Sequence, residues 1–342
     1  MLIHHTCPNC GADMNFNSET GMLSCDSCGH NHSVEQLEDI KLTQTFEQDD
    51  AREYHCENCG AVVVTDKDTT ATSCSFCGGA VILVDRLSGE LAPVQVIPFT
   101  ISKEEAMQAF KKWCRNGRLT PKGFMTANRV KNITGMYVPF WMYDLNNDVE
   151  VHAKATKVRT YTSGEYQVTE TSHYDVYRKL DIDYAKVPVD ASEKLDDQIM
   201  DKLEPYNYND LKPFKTAYLA GYLAEKYNYN DEQLYPRVKN KVKSYIDNYI
   251  TSTINGYTSV QYHQKNINTK QKHSYYVLLP IWMIYYDLEK QEHNFLMNAQ
   301  TGKIVGKPPV SMQKVSLWFL GLFSSSFIVL KIIALLLGGA LW

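Results

Sequence analysis

Positive charge is nearly missing from the first quarter of this 342-residue chain. Residues 1–85 hold three basic side chains, Lys41, Arg52 and Lys67, against fourteen acidic ones, a net of −11. A nucleic-acid reader needs lysine and arginine to release counterions from phosphates, so this segment would repel a phosphate backbone. The fingerprints of common catalytic machinery are also missing: no P-loop, G-x-S-x-G, H-E-x-x-H or dinucleotide-binding glycine run occurs. His152, His173, His263, His273 and His293 are scattered and pair with no nucleophile pattern, so an enzyme is not expected. No secretory signal precedes the first cysteines, and the expected setting is therefore a reducing cytosol in which disulfides do not persist.

What the acidic segment does contain is four C-x2-C pairs. Cys7, Cys10, Cys25 and Cys28 map onto Cys56, Cys59, Cys74 and Cys77 by a shift of 49, a tandem repeat. Four thiolates at this spacing satisfy a tetrahedral Zn(II) ion, because each pair turns two sulfurs toward one point. Gly11, Gly29, Gly60 and Gly78 follow the second cysteine of each pair, where the turn favours positive φ. The pattern predicts two zinc ribbons and two Zn(II) ions per chain. An all-thiolate set leaves no coordination position for a reacting water, so the metal is expected to be structural. Modules this small use metal in place of a core and present a surface, here to protein rather than nucleic acid. His30 and His32 read as surface residues, and the ninth cysteine, Cys114, as a small buried side chain without a role.

The opposite end is a long apolar run. Val315 to Trp342 is 28 residues with one charge, Lys331. As a helix it would span about 42 Å against a hydrocarbon core of about 30 Å. One C-terminal transmembrane helix is predicted. Lys303, Lys307 and Lys314 precede it and no charge follows, which places ribbons and body in the cytoplasm and the C-terminus at the outer face. Lys331 either snorkels to an interface or faces a partner helix. Ser324, Lys331 and Gly338 recur at sevens with Gly321 and Ser325 beside them, a candidate partner-helix face of small residues. A break of the run after Leu330 into two short segments is a third possibility.

Between the ends, the expected organisation is a zinc ribbon over 1–35, a linker helix over 36–53, a second ribbon over 54–86, an α+β soluble body over 94–309 and the anchor over 315–342. A capping box from Ser102 to Glu105 opens a helix through Arg115. A strand over 135–145 is expected to turn at Asn146-Asn147-Asp148. Val149, Val151, Ala153 and Ala155 then alternate with polar residues as a half-buried strand that turns at Ser163-Gly164 into Tyr166–Tyr177. Helices are predicted at 191–204, 213–228 and 231–254, and strands at 257–268, 274–287, 292–298 and 303–306. One echo points to a duplicated β-unit: Pro139, Trp141 and Met142 reappear as Pro280, Trp282 and Met283. Residues 86–342 carry a net charge of +7, the reverse of the ribbons. Arg237, Lys239, Lys241 and Lys243, like Lys111, Lys112 and Arg115, could face an anionic membrane or simply be solvated.

With these features together, the chain resembles a family of bacterial membrane-anchored proteins with double N-terminal zinc ribbons encoded in PspA (phage-shock) operons. The resemblance rests on the two cysteine arrays, Pro98-Phe99 with Glu104-Glu105-Ala106, Val138-Pro139-Phe140-Trp141, Leu279-Pro280-Ile281-Trp282, and the Asn298 to Gly306 stretch. It implies a role in envelope stress, in which the protein pairs with a small membrane protein and helps recruit an SPFH (flotillin-like) protein and PspA. The ribbons are also similar to those of transcription factor IIB, which invites a nucleic-acid role that the −11 charge opposes. The function expected is a non-enzymatic scaffold without a small-molecule substrate. The alternatives are a membrane-tethered nucleic-acid-binding regulator and a thiol-redox or zinc-ribbon chaperone.

Overall fold

The computed structural model describes residues 2–3, 5–37, 52–55, 62–65, 68–74, 79–83, 92–115, 119–121, 130–288, 291–306, 308 and 310–336. Strands β1 (Leu2–Ile3), β2 (Met14–Asn17), β3 (Met22–Cys25) and β4 (Asn31–Ser33) come first. They are followed by β5 (Arg52–His55), β6 (Val62–Thr65), β7 (Thr69–Ser73) and β8 (Ala80–Leu83). Strand β9 (Gln95–Val96) and helix α1 (Lys103–Arg115) lead into two long strands, β10 (Val130–Ser163) and β11 (Tyr166–Asp190). Then come α2 (Asp197–Leu203), β12 (Lys212–Pro213), β13 (Leu223–Glu225) and α3 (Asp231–Thr253). The chain ends in β14 (Ser259–Leu288), β15 (Gln291–Asn298), β16 (Ile304–Val305) and α4 (Met312–Leu336).

Eleven strands share one sheet whose main path is β1-β8-β7-β13-β10-β14-β15-β16; β11 pairs with β10, and β9 links β14 to β12. Strands β2-β3-β4 and β5-β6 form two small sheets of their own. This is a sheet-rich α+β protein, the class that the alternating and helical patterns predict.

The two Pro-x-Trp stretches lie side by side. β10 and β14 are antiparallel, with Val138 opposite Leu279, Pro139 opposite Leu278 and Tyr137 opposite Pro280. Val138 and Leu279 are counterparts in the echo, so a local twofold passes between them. The flanking strands obey it. β13 runs parallel to β10 at Met136↔Leu223, and β9 runs parallel to β14 at Val277↔Gln95. Trp141 sits opposite Val189 of β11, and Trp282 opposite Met297 of β15. Both helices open with a capping box, Ser102 with Glu105 and Asn230 with Gln233, which satisfies backbone donors at each N-terminus. Each helix then buries a row at i, i+4 and i+8: Ala106, Phe110 and Cys114 on α1, and Leu234, Val238 and Val242 on α3. Each half is therefore a β–α–β–β unit.

Beyond this twinned core, β10, β11 and β14 continue as a three-stranded arm. At about 3.3 Å per residue, β10 alone spans roughly 110 Å. Val149, Val151, Ala153 and Ala155 point to one face, as their alternation predicts, and pack with Val176 under Val238, Val242, Ile246 and Ile250 of α3. Past the Thr156–Ser259 pair, β10 and β11 run on alone to the turn at Gly164, whose φ of 62° favours glycine.

Four expected boundaries are corrected. Asn146-Asn147-Asp148 is not a turn, because β10 passes straight through it. Asn147 is fully buried; its Nδ2 donates to the Ile182 carbonyl at 3.0 Å and its Oδ1 accepts from Thr269 Oγ1 at 2.8 Å. A turn-forming composition is overridden here by partners on both neighbouring strands. For the same reason β14 is continuous where a break at 268–274 was expected. The helix expected over 213–228 is a short 3-10 turn at Thr216–Leu219 followed by β13. Thr216 to Ala220 are buried throughout, with no polar face to sustain a surface helix. At Gly221, φ is 89° and a Cβ would lie 3.2 Å from Asn15 Oδ1. The helix expected over 191–204 is confined to α2, which starts at the Asp196 cap.

The cysteine-bearing N-terminal sheet is packed on the body. Phe16 meets Tyr218 edge-on at 5.3 Å, its backbone N–H donates to Ala220 at 3.0 Å, and β1 pairs with β8. Most of the expected linker, residues 38–51, lies outside the described residues; residues 52–53 begin β5.

Candidate metal centre and membrane segment

The first cysteine array closes on one point. The sulfurs of Cys7, Cys10, Cys25 and Cys28 all lie within 4.8 Å of one another. Cys7 Sγ is 3.6 Å from Cys28 Sγ, and Cys10 Sγ is 3.5 Å from Cys25 Sγ. A tetrahedral ion with metal–sulfur bonds of about 2.3 Å sets its sulfurs about 3.8 Å apart, so this donor set fits one soft or borderline cation with little adjustment. None of the six described cysteines forms a disulfide.

Two superposable turns build the cluster. Cys7 N–H donates to the Ala12 carbonyl at 2.7 Å and Gly11 N–H to Cys7 at 2.8 Å; eighteen residues on, Cys25 donates to His30 at 2.9 Å and Gly29 to Cys25 at 2.9 Å. Gly11 and Gly29 have φ of 77° and 74°, the left-handed turn expected after each pair. Cys7 and Cys25 are buried and Cys10 and Cys28 exposed, so the site is half core and half surface. The thiols do not ionise alike. A backbone hydrogen bond at His30 and the Cys10 thiol hold Cys28 down to about 6. Cys10, although a backbone hydrogen bond at Ala12 favours its thiolate, is pushed up to about 12 by the thiols of Cys28 and Cys25. His30 and His32 stay out of the cluster.

Of the second array, only Cys74 is described. Its N–H donates to the Gly79 carbonyl at 2.8 Å, the same five-residue closure as at Cys7 and Cys25. Cys56, Cys59 and Cys77, with Gly60 and Gly78, lie outside the described residues. Cys114 is buried, and burial pushes its thiol up to about 12.

At the other end, α4 is long and apolar enough to cross a membrane, and among its described residues no apolar side chain is fully buried against the protein. It runs unbroken past Leu330. Its base is tied to the body: Ser311 N–H donates to the Leu119 carbonyl at 2.8 Å and Lys314 Nζ to the Thr120 carbonyl at 2.6 Å. Lys303 likewise donates to the Glu204 carbonyl; Lys307 is outside the described residues. Gly321, Ser324, Ser325 and Lys331 are exposed on α4, nothing lies within 4 Å of a Cβ built at Gly321, and Ser325 bonds back to Leu322. Gly338 falls outside the described residues. The sequence reading missed an aromatic stripe, Phe319, Phe323 and Phe327, whose rings step at 6.5 Å and end with Lys331 Nζ 5.2 Å from the Phe327 centroid. The i, i+4, i+8 spacing of phenylalanines was its signal.

The α3 basic run divides in two. Arg237 pairs with Asp197 at 2.8 Å and Asp201 at 3.2 Å, and Lys241 pairs with Glu204 and Asp201. Burial raises the Glu204 carboxyl despite Lys241 beside it. Lys239 and Lys243 face the other way.

A four-cysteine group, a sheet-rich α+β body and one membrane-length terminal helix define the class. The chain belongs to the YdjG family: it is 61% identical over 339 residues, 99% of each chain, to the protein named "Uncharacterized protein YdjG" in Bacillus subtilis (strain 168). No protein-family model and no solved structure matches it.

Proposed function

We propose that this protein is a non-enzymatic, membrane-anchored scaffold that recruits cytosolic protein partners. The observation that carries the reading is α4, a membrane-length helix whose apolar surface has no place to bury in the protein itself. Cys7, Cys10, Cys25 and Cys28 hold one zinc ion; Cys56, Cys59, Cys74 and Cys77 hold a second by the repeat. With four thiolates each ion is coordinatively closed and serves folding, which argues against hydrolytic chemistry. The lysine bias before α4 supports a cytoplasmic body and an outward C-terminus. The twinned β–α–β–β halves are read as an internal duplication. The family resemblance adds the setting: envelope stress, with an SPFH-type protein, PspA and a small membrane protein as partners, the last meeting the Gly321, Ser324, Ser325, Lys331 and Gly338 face.

Crosslinking and pull-down from membranes test this reading, comparing the full chain with a Cys10→Ser, Cys28→Ser variant, which alters the exposed half of the first cysteine array and leaves β1, β7 and β8 in the main sheet. Recovery of a defined protein set that depends on the two cysteines is expected. Salt-sensitive, tight retention of nucleic acid in a filter-binding assay, without such a set, would replace the scaffold with a tethered regulator.

A further inference from the structure

A groove of about 580 Å³ runs between α3 and the arm, lined by Lys239, Asn240, Lys243 and Asp247 on the helix and by Lys265, Ile267 and Thr269 on β14. Half-buried Ile267 is its apolar floor. Among the described residues, β14 pairs only with β10 from Ser259 to Tyr275; β9 joins at Val277 and β15 at Ile281. The groove therefore opens along an unpaired strand edge with a helix facing it. An extended chain can add to such an edge through main-chain hydrogen bonds and point alternate side chains at the helix.

Charge selects the occupant. No aspartate or glutamate occurs between Asp247 and Asp287, a stretch that holds Lys265, Lys270, Lys272, His263 and His273. Asp247 is matched by Lys265 at 2.7 Å. Lys239, whose Nζ lies 5.3 Å from the Tyr235 ring centroid, and Lys243 have no carboxylate partner among the described residues. Edge lysines can serve merely to repel other strands, but Lys239 and Lys243 stand on the opposite wall.

We infer that the α3–β14 groove takes an extended acidic segment of a protein partner, added as a strand to β14 with its carboxylates at Lys239 and Lys243. The assignment rests on the scaffold reading and names a surface for it.

Fluorescence anisotropy of the full chain in detergent micelles tests it, with a labelled short peptide of alternating glutamate and threonine. Saturable binding is expected, weakened at least tenfold by the double change Lys239→Ser and Lys243→Ser and unaffected by Lys111→Ser with Lys112→Ser on α1. The same peptide N-methylated at alternate amides should not bind, because strand addition needs its N–H groups. Absent binding, or equal binding by the N-methylated peptide or by the Lys239/Lys243 double variant, overturns the proposal. So does a response confined to phosphatidylglycerol vesicles, which would assign the lysines to lipid. The membrane pull-down reads the scaffold independently: partners recovered while the peptide fails to bind would leave the scaffold standing without this groove.

Discussion

Trp141 and Trp282 occupy twin positions and make twin bonds: Trp141 Nε1 donates to the Tyr229 carbonyl at 2.9 Å and Trp282 Nε1 to the Ile101 carbonyl at 3.0 Å. Each tryptophan ties its strand to the backbone just before the helix of the other half, Trp141 to α3 and Trp282 to α1. The surroundings differ. Trp282 is buried against Phe99, whereas Trp141 is half-buried beside Tyr227. Replacing either with Phe removes one hydrogen bond at a cost of about 1 kcal/mol, and more where the abandoned carbonyl is cut off from water. Trp282→Phe is expected to lower the thermal midpoint more than Trp141→Phe, read by calorimetry of the full chain in detergent.

The twin relation also singles out Asp190, whose counterpart is Asn298. Both are buried and follow the same path: the next residue, Ala191 or Ala299, donates to the carbonyl of Pro139 or Pro280. Asn298 Nδ2 donates to the Leu203 carbonyl at 3.1 Å, whereas Asp190 Oδ2 has no hydrogen-bond partner and lies 4.0 Å from Arg237. Burial pushes the Asp190 carboxyl up to about 7, against the opposing pull of the Ser192 amide and Arg237. Between about pH 4 and 7 the folded chain thus keeps a proton that the unfolded chain has released, so this group favours folding most in acid and progressively less as pH rises through 7. Asp190→Asn is expected to stabilise by roughly 1–3 kcal/mol at pH 8 and to be near neutral at pH 4. Denaturant unfolding at both pH values measures it; an equal effect at the two would remove the titration.

Local chemistry was legible in the sequence, and long-range arrangement was not. The Ser102–Glu105 cap, the Val149 to Ala155 alternation, the turn at Gly164 and the four-sulfur point each depend on residues close in the chain or on fixed spacing. Asn147 failed as a turn signal because its partners, Ile182 and Thr269, are 35 and 122 residues away. The helix expected around Thr216 failed because that segment is wedged between the N-terminal sheet and the body. The echo of Pro139 and Pro280 was visible, but its meaning needed the pairing of β10 with β14. Likewise, the basic run on α3 looks uniform as sequence; its division into an ion-paired side and a groove side follows from what α2 and β14 bring to it.

Asn147 offers a direct test of that override. Asn147→Ala leaves the Ile182 carbonyl and the Thr269 hydroxyl without their partner inside the arm. The expected loss is about 1–3 kcal/mol, concentrated in the arm. Hydrogen exchange should rise at the amides of β11 and β14 near these residues, while β13 and β9 stay protected. Uniform acceleration across the whole sheet would show that arm and core unfold as one unit.

The metal assignment predicts its own loss. Cys25→Ser should lower bound zinc from two ions per chain to one, measured by elemental analysis of purified protein. Cys25 is buried in the same core cluster as Phe16 and Leu23, so a lower thermal midpoint should accompany the lost ion. Acidification should release zinc as protons compete for the thiolates. One ion in the unaltered chain would assign no metal to the second array.

Lys331 supplies the last test. Its Nζ rests over the Phe327 ring at the end of the Phe319–Phe323–Phe327 stripe, and a cation–π contact of this kind softens the cost of a charge in hydrocarbon. Removing the charge with Lys331→Leu should favour insertion of α4 by about 2.5–3.5 kcal/mol on insertion scales, less the contact it gives up. Phe327→Leu alone should act in the opposite direction, because it leaves the ammonium without its ring. If Lys331 also selects a partner helix, Lys331→Leu should reduce co-purification of that partner at matched membrane levels even as insertion improves. Equal recovery from the two proteins would limit Lys331 to its contact with Phe327.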